Sequence, residues 1–135
     1  RMANSSPIRV GRIGTVNTET GMVSVVYEDR GGASTAEIPV LCPGGIWRTP
    51  QIGSLVLVTV LSNGSSMGIV LGEFTNSMNK PVQGADWSLI FGADTSKYMS
   101  FSGGKLQINC DVEIKGNLSG SGNASFDGQV SGSNI

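Results

Sequence analysis

The chain has 135 residues, of which 39% are hydrophobic and 14% charged, with a net charge of −1. That length suits one domain with an appendage, and the lack of basic excess removes the electrostatic basis for nucleic-acid binding. There is no histidine, which excludes His-based general acid–base catalysis, Ser-His-Asp and Cys-His arrangements and His-ligated zinc.

The two cysteines, Cys42 and Cys110, lie far apart and form no metal-spacing motif. They are open to a single bridge, but nothing resembles a signal peptide and reduced thiols are expected. No apolar run approaches the ~18–20 residues that span a bilayer. No site constellation for an enzyme is present, and neither a cofactor nor a metal is expected.

Residues 1–7 read as a polar lead-in. Residues 8–16 form a first strand, with Ile8, Val10 and Val16 on one phase and a glycine-permitted bend at Gly11 or Gly14. Residues 17–21 are a turn that ends on Gly21. A valine-rich second strand covers 22–27, and 28–32 is a second turn. Residues 36–41 read as a short third strand, at an edge or a bulge because of Pro39.

Residues 42–50 hold two prolines and two glycines, which forbid a regular element. Trp47 in this loop is either a plug for one end of a barrel or an anchor on a partner. Residues 54–61 are apolar on both phases, as expected of a strand that is covered on both sides or central in a barrel. A hairpin turn over 62–66 leads into a fifth strand, 67–74. Five strands in this order, with one long irregular connection after the third, fit a small Greek-key barrel of the OB type over 8–75.

Residues 76–86 form a polar linker with Pro81 and Gly84. Beyond it a strict period of two begins, the sign of extended chain with one face covered and one face wet. Trp87, Leu89, Phe91, Met99 and Phe101 occupy odd positions. At Gly103-Gly104 the parity switches, and Leu106, Ile108, Cys110, Val112, Ile114, Leu118, Phe126 and Val130 are even. The odd positions from Lys105 to Ser133 are all polar. Short strands are expected near 88–92, 98–102, 105–110 and 111–118, followed by a glycine-punctuated tip.

This run is far longer than an ordinary strand of ~5–6 residues. Its inward face thins from aliphatics to glycine, so one chain folded on itself would bury too little apolar surface to offset its ordering entropy. Symmetric copies around one axis remove that difficulty. The expected fold class is therefore all-β: an N-terminal five-stranded OB-like barrel, then an intertwined trimeric β-helix or β-prism over 87–135. A flexible Gly/Ser linker gives no reason for serine and glycine to keep opposite phases.

The order and spacing of these segments resemble the central spike proteins of contractile phage tails, the baseplate assembly protein V family, whose architecture type VI secretion spikes share. Arg9-Val10-Gly11-Arg12-Ile13-Gly14-Thr15-Val16 resembles the family's first barrel strand. Ile52-Gly53-Ser54-Leu55-Val56-Leu57-Val58 resembles its G-x-x-V-x-V strand, and Gly68-Ile69-Val70-Leu71-Gly72 resembles the strand that closes the barrel. Asp111-Val112-Glu113-Ile114-Lys115-Gly116-Asn117-Leu118 resembles the tail's strand repeats.

The resemblance implies a homotrimer in the tail baseplate of a virion or phage-like particle, assembled in the host cytoplasm. Its barrel docks on a baseplate hub protein and its tail is driven into the host envelope. The chain departs from the family at its end: residues 128–135 lack the His-x-His pair that binds iron in many members. It also lacks an inserted lysozyme domain. With no metal at its end, the resemblance leaves a place there for a tip-capping protein.

Within this reading Leu106, Ile108, Cys110, Val112, Ile114, Leu118, Phe126 and Val130 form the trimer core, with Cys110 as a small apolar filler. Phe126 and Val130 plug the tip, and Asn134 is the one polar residue on the inward phase. Trp87 packs where barrel meets tail, and Trp47 is a candidate hub contact. Two other classes fit parts of the pattern. A trimeric receptor-binding fibre or adhesin shares the tail but ends in a globular head, for which 120–135 has no mass. A single-strand-binding OB fold needs a basic groove with stacking aromatics, whereas Arg9, Arg12, Arg30 and Arg48 are scattered.

Overall fold

The computed structural model describes residues 7–61 and 67–134. Most of the lead-in, the turn at 62–66 and Ile135 lie outside them. The fold is all-β, with two antiparallel sheets of five and three strands and only two single 3-10 turns among the described residues, Glu28–Arg30 and Pro43–Gly45.

The first sheet contains β1 (Ile8–Val16), β2 (Val23–Tyr27), β3 (Ala33–Ser34), β4 (Leu55–Val60) and β5 (Gly68–Glu73), in the order β3-β2-β1-β4-β5. Alternation decides which side chains face inward. Ile13, Val23, Val25, Tyr27, Ile38, Val56, Val58 and Val70 make one buried cluster. The register places Val56 opposite Gly11 and Val58 opposite Arg9 and Val70, so the inward residues of three strands stand side by side. Gly11 is required by this packing: a Cβ there would sit 2.3 Å from Val25 Cγ1.

The expected bend in β1 is a register shift between Ile13 and Thr15, at Gly14. A second shift, between Leu57 and Val58 in the pairing of β4 with β5, leaves Leu71 unpaired beside Gly72. The 17–21 turn closes through the Asn17 carboxamide, whose Oδ1 accepts the Glu19 and Thr20 N–H groups, and Gly21 takes φ 78°. Both turns, 17–21 and 28–32, thus form where their polar and glycine residues predict. β4 lies between β1 and β5 with Val56 and Val58 buried, while Leu55 and Leu57 on its outer side are half-buried.

The third strand differs from its expectation. The ladder partner of β2 is Ala33–Ser34, and 36–41 forms no strand. Instead this segment makes isolated bridges to two different neighbours. Ile38 and Val23 exchange N–H···O bonds of 2.7 and 2.9 Å. Leu41 N–H donates to Val70 O at 2.8 Å, and Val70 N–H donates to Pro39 O at 2.9 Å. Pro39 has no N–H to give, so pairing changes sides around it. The segment therefore links β2, near one end of the sheet order, with β5 at the other.

At the far end of the core, Arg9 shares the inward phase of Gly11 and Ile13, and only 8% of its side chain is exposed. Its guanidinium stands 5.4 Å from the Tyr27 ring centroid, a cation–π contact, and 4.0 Å from the Asp29 carboxylate. Neither Arg9 Nε nor the Tyr27 hydroxyl has a hydrogen-bond partner among the described residues. Burial pushes the Tyr27 phenol above its ordinary range, and Arg9 opposes part of that rise.

Candidate functional site

The second sheet is built from β6 (Trp87–Ile90), β7 (Tyr98–Ser102) and β8 (Lys105–Asn109), in the order β6-β7-β8. Its register explains the parity switch. Ser102 pairs with Lys105, so Gly103 and Gly104 are the whole connection. Their φ values are 59° and 76°, the paired left-handed conformations that a two-residue hairpin needs and glycine supplies. Across this turn odd residues of β7 meet even residues of β8.

Trp87, Phe101 and Leu106 consequently form one rank, and Leu89, Met99 and Ile108 the next. Six apolar side chains share one face. The opposite face carries Ser88, Ser100 and Gln107 in one rank and Ile90, Tyr98 and Asn109 in the other. The chain covers part of that polar face itself. Val82 N–H donates to Ser88 Oγ at 3.2 Å, and Ser100 is buried. The apolar face is left open, with Trp87, Phe101, Leu106 and Ile108 all exposed.

The apolar row continues past the sheet. Val112, Ile114, Leu118, Phe126 and Val130 are all exposed, Leu118 at 80% and Phe126 at 67%. Cys110 is half-buried and Asn134 exposed. Among the described residues, 110–134 belong to no strand and pair with no other segment. The strand expected over 111–118 is therefore absent: no described segment of the chain pairs with it. Its backbone N–H and C=O groups also find no partner among the described residues.

One feature of this segment escapes the period-two reading. The backbone bends at 115–116, 121–122 and 127–128 and turns at 133–134, every sixth residue. The sequence divides at the same points into 111–116 (DVEIKG), 117–122 (NLSGSG), 123–128 (NASFDG) and 129–134 (QVSGSN). In each hexad the first, third and fifth residues are polar, the second is apolar, and the sixth is Gly116, Gly122, Gly128 or Asn134. A repeat at a fixed short period is the mark of a stacked β architecture. The six-residue spacing of these glycines is the signal, and Gly120 and Gly132 hide it.

The other candidate residues lie on the first sheet's surroundings. Trp47 is 43% exposed, and the tip of its ring packs on the 17–21 turn, where a Cβ on Gly21 would lie 3.3 Å from Trp47 Cη2. It lines an open cleft with Glu19, Pro39 and Cys42 and stands outside the buried cluster. Trp87 faces Phe101 on the uncovered side of the second sheet. A cleft of about 520 Å³ between the two sheets brings Arg12, Arg48 and Lys80 near Ile90. Two of these cations already have partners, at 3.2 Å for Arg12–Glu28 and 2.8 Å for Arg48–Glu73.

Cys42 and Cys110 are both free thiols. Among the described residues no three His, Cys, Asp or Glu side chains gather into a metal-binding group, and no helix is long and apolar enough to cross a membrane. Neither protein-family models nor curated proteins give a match to this chain.

Proposed function

We propose that this chain is the central spike of a contractile phage tail or a phage-like injection particle, acting as a homotrimer without chemistry of its own. One observation carries the reading: the apolar row from Leu106 to Val130 is uncovered, and beyond β8 it stands on backbone with no hydrogen-bond partner among the described residues. An apolar surface of this length is stable only when something covers it. Buried backbone groups must also be paired. Copies of the same chain around a three-fold axis meet both requirements at once, because each copy supplies the same row and the same unpaired backbone.

In this reading the first sheet is an OB-like barrel. The bridges from Ile38 to Val23 and from Leu41 to Val70 support it, since they join the two ends of the sheet order. The barrel docks on a baseplate hub protein, with the half-exposed Trp47 as a candidate contact. The tail winds into a β-helix or prism that is driven into the host envelope, and Phe126 and Val130 fill its tip without a metal. A capping protein on that tip and a place in the virion belong to the same proposal.

The test is mass in solution. Light scattering on the purified protein is expected to give three chains of 14.0 kDa each. Removing residues 104–135 is expected to lower that mass while the circular dichroism of the first sheet persists. A monomer at full length sinks the spike reading.

A further inference from the structure

The six-residue spacing of the bends says how copies meet, once the trimer proposed above is granted. We propose that neighbouring copies stack with a stagger of six residues. Hexad 111–116 of one copy adds as a parallel strand to the open edge of β8 in the next, with Lys105 of one copy facing Asp111 of its neighbour.

The first support is the edge itself. Among the described residues β8 pairs with β7 alone, and all five of its residues are exposed. Its outer row of N–H and C=O groups has no partner among the described residues. An open edge of this kind is a template for another strand. Of all the chain, 111–116 is the segment that continues directly from β8 and shares its alternation, so its backbone groups are the natural complement.

The second support is the bend. Three copies on one axis enclose a triangle, and a hexad between two bends is one side of it. A chain that turns after six residues leaves one side and enters the next. That side is already occupied, one strand spacing below, by the preceding hexad of the neighbouring copy. Each hexad therefore lies on its neighbour's previous hexad, which is a stagger of six.

Charge agrees independently. With no stagger, the ionised groups at 111, 113 and 115 each stand level with their own copies. A stagger of two puts Asp111 against Glu113. Like charges directly opposite destabilise a strand pair. A stagger of six sets Lys105 against Asp111, Gln107 against Glu113 and Asn109 against Lys115. Further along, each remaining charge meets an uncharged Asn or Ser, and no two like charges are paired anywhere from 105 to 134. A stagger of four also separates the charges, but it would place one copy's bends against its neighbour's straight segments.

The interior fits as well. Each layer holds three copies of one hexad, with its second and fourth residues inward: Val112 and Ile114, Leu118 and Gly120, Ala124 and Phe126, Val130 and Gly132. The larger residues are matched with glycine or alanine in three of the four layers. That is how a narrow core of fixed width is filled without voids or overlap.

The experiment is a cross-link in the full-length chain with Cys42→Ser and Cys110→Ala. Adjacent strands lie about 4.8 Å apart, within the Cα separation that a disulfide accepts. Oxidised Lys105→Cys/Asp111→Cys is expected to run as a covalently closed three-chain species without reductant. Each cysteine alone is expected to give none. A trimeric mass with no 105–111 bond, or a bond formed by Asp111→Cys alone, overturns the stagger and leaves the trimer standing. A monomeric mass overturns the trimer itself. Deletion separates the hexad from plain alternation. Removing 117–122 is expected to keep the trimer and removing 117–120 to lose it. Equal tolerance of the two deletions overturns the six-residue layer.

Discussion

The two halves of this chain spend the same residue types differently. In the first sheet Val56, Val58 and Val70 are at most 1% exposed. In the tail Val112 and Ile114 are more than half exposed, on an alternation just as strict. A period of two tells which side chains share a face. It does not tell what covers that face. In the first sheet the chain supplies its own cover, through neighbouring strands and the return of Ile38 over Val23. In the tail the described residues supply none.

The largest effect that tests this contrast comes from Ile114→Asp. In the proposed trimer it puts three carboxylates on the axis, and burying unpaired charge costs several kcal/mol per ion. Light scattering is expected to show loss of the trimer, while far-UV circular dichroism of the first sheet is kept. Ile13→Ala is the mirror experiment. It opens a cavity in the buried cluster and is expected to cost about 2–5 kcal/mol. The melting of the first sheet should fall with the three-chain mass unchanged. If either substitution produces the other's effect, the halves are not energetically separate.

The smallest effect sharpens the first sheet alone. Tyr27 is buried with a hydroxyl that no acceptor among the described residues meets. Tyr27→Phe is therefore expected to change stability at neutral pH by less than about 1 kcal/mol. Because burial raises the folded phenol above its unfolded value of about 10, its contribution is complete below that pH. It is lost as pH rises through the raised folded value. Denaturant melts at about pH 8 and about pH 11 should show a shallower alkaline loss in Tyr27→Phe than in the parent.

The same distinction governs how much of the molecule was legible in its sequence. The parity switch at Gly103-Gly104 could be read because both phases of alternation occur within a few residues of it, and the hairpin register matches it rank by rank. The turns at 17–21 and 28–32 were legible from their glycine and Asx chemistry. The third strand was not. Alternation through Ala36, Ile38 and Val40 looks like a ladder, yet Pro39 cannot donate and the segment serves two neighbours by single bridges. Trp47 sits in a loop with no period, so nothing local could place it on the 17–21 turn. The hexads were masked because glycine occupies so many even positions near the end. A corner in the backbone leaves no trace in polarity, only in spacing.

In the proposed trimer the bends also set how far the tail reaches. A straight strand of 24 residues would extend about 80 Å, at about 3.3 Å per residue. Wound so that each hexad climbs one strand spacing of about 4.8 Å, the four hexads rise only about 20 Å. In the proposed trimer most of the contour length goes into girth, which trades span for resistance to buckling under an axial load. The assembled particle is accordingly expected to be a stub rather than a needle, a distinction that small-angle scattering reads directly from its maximum dimension.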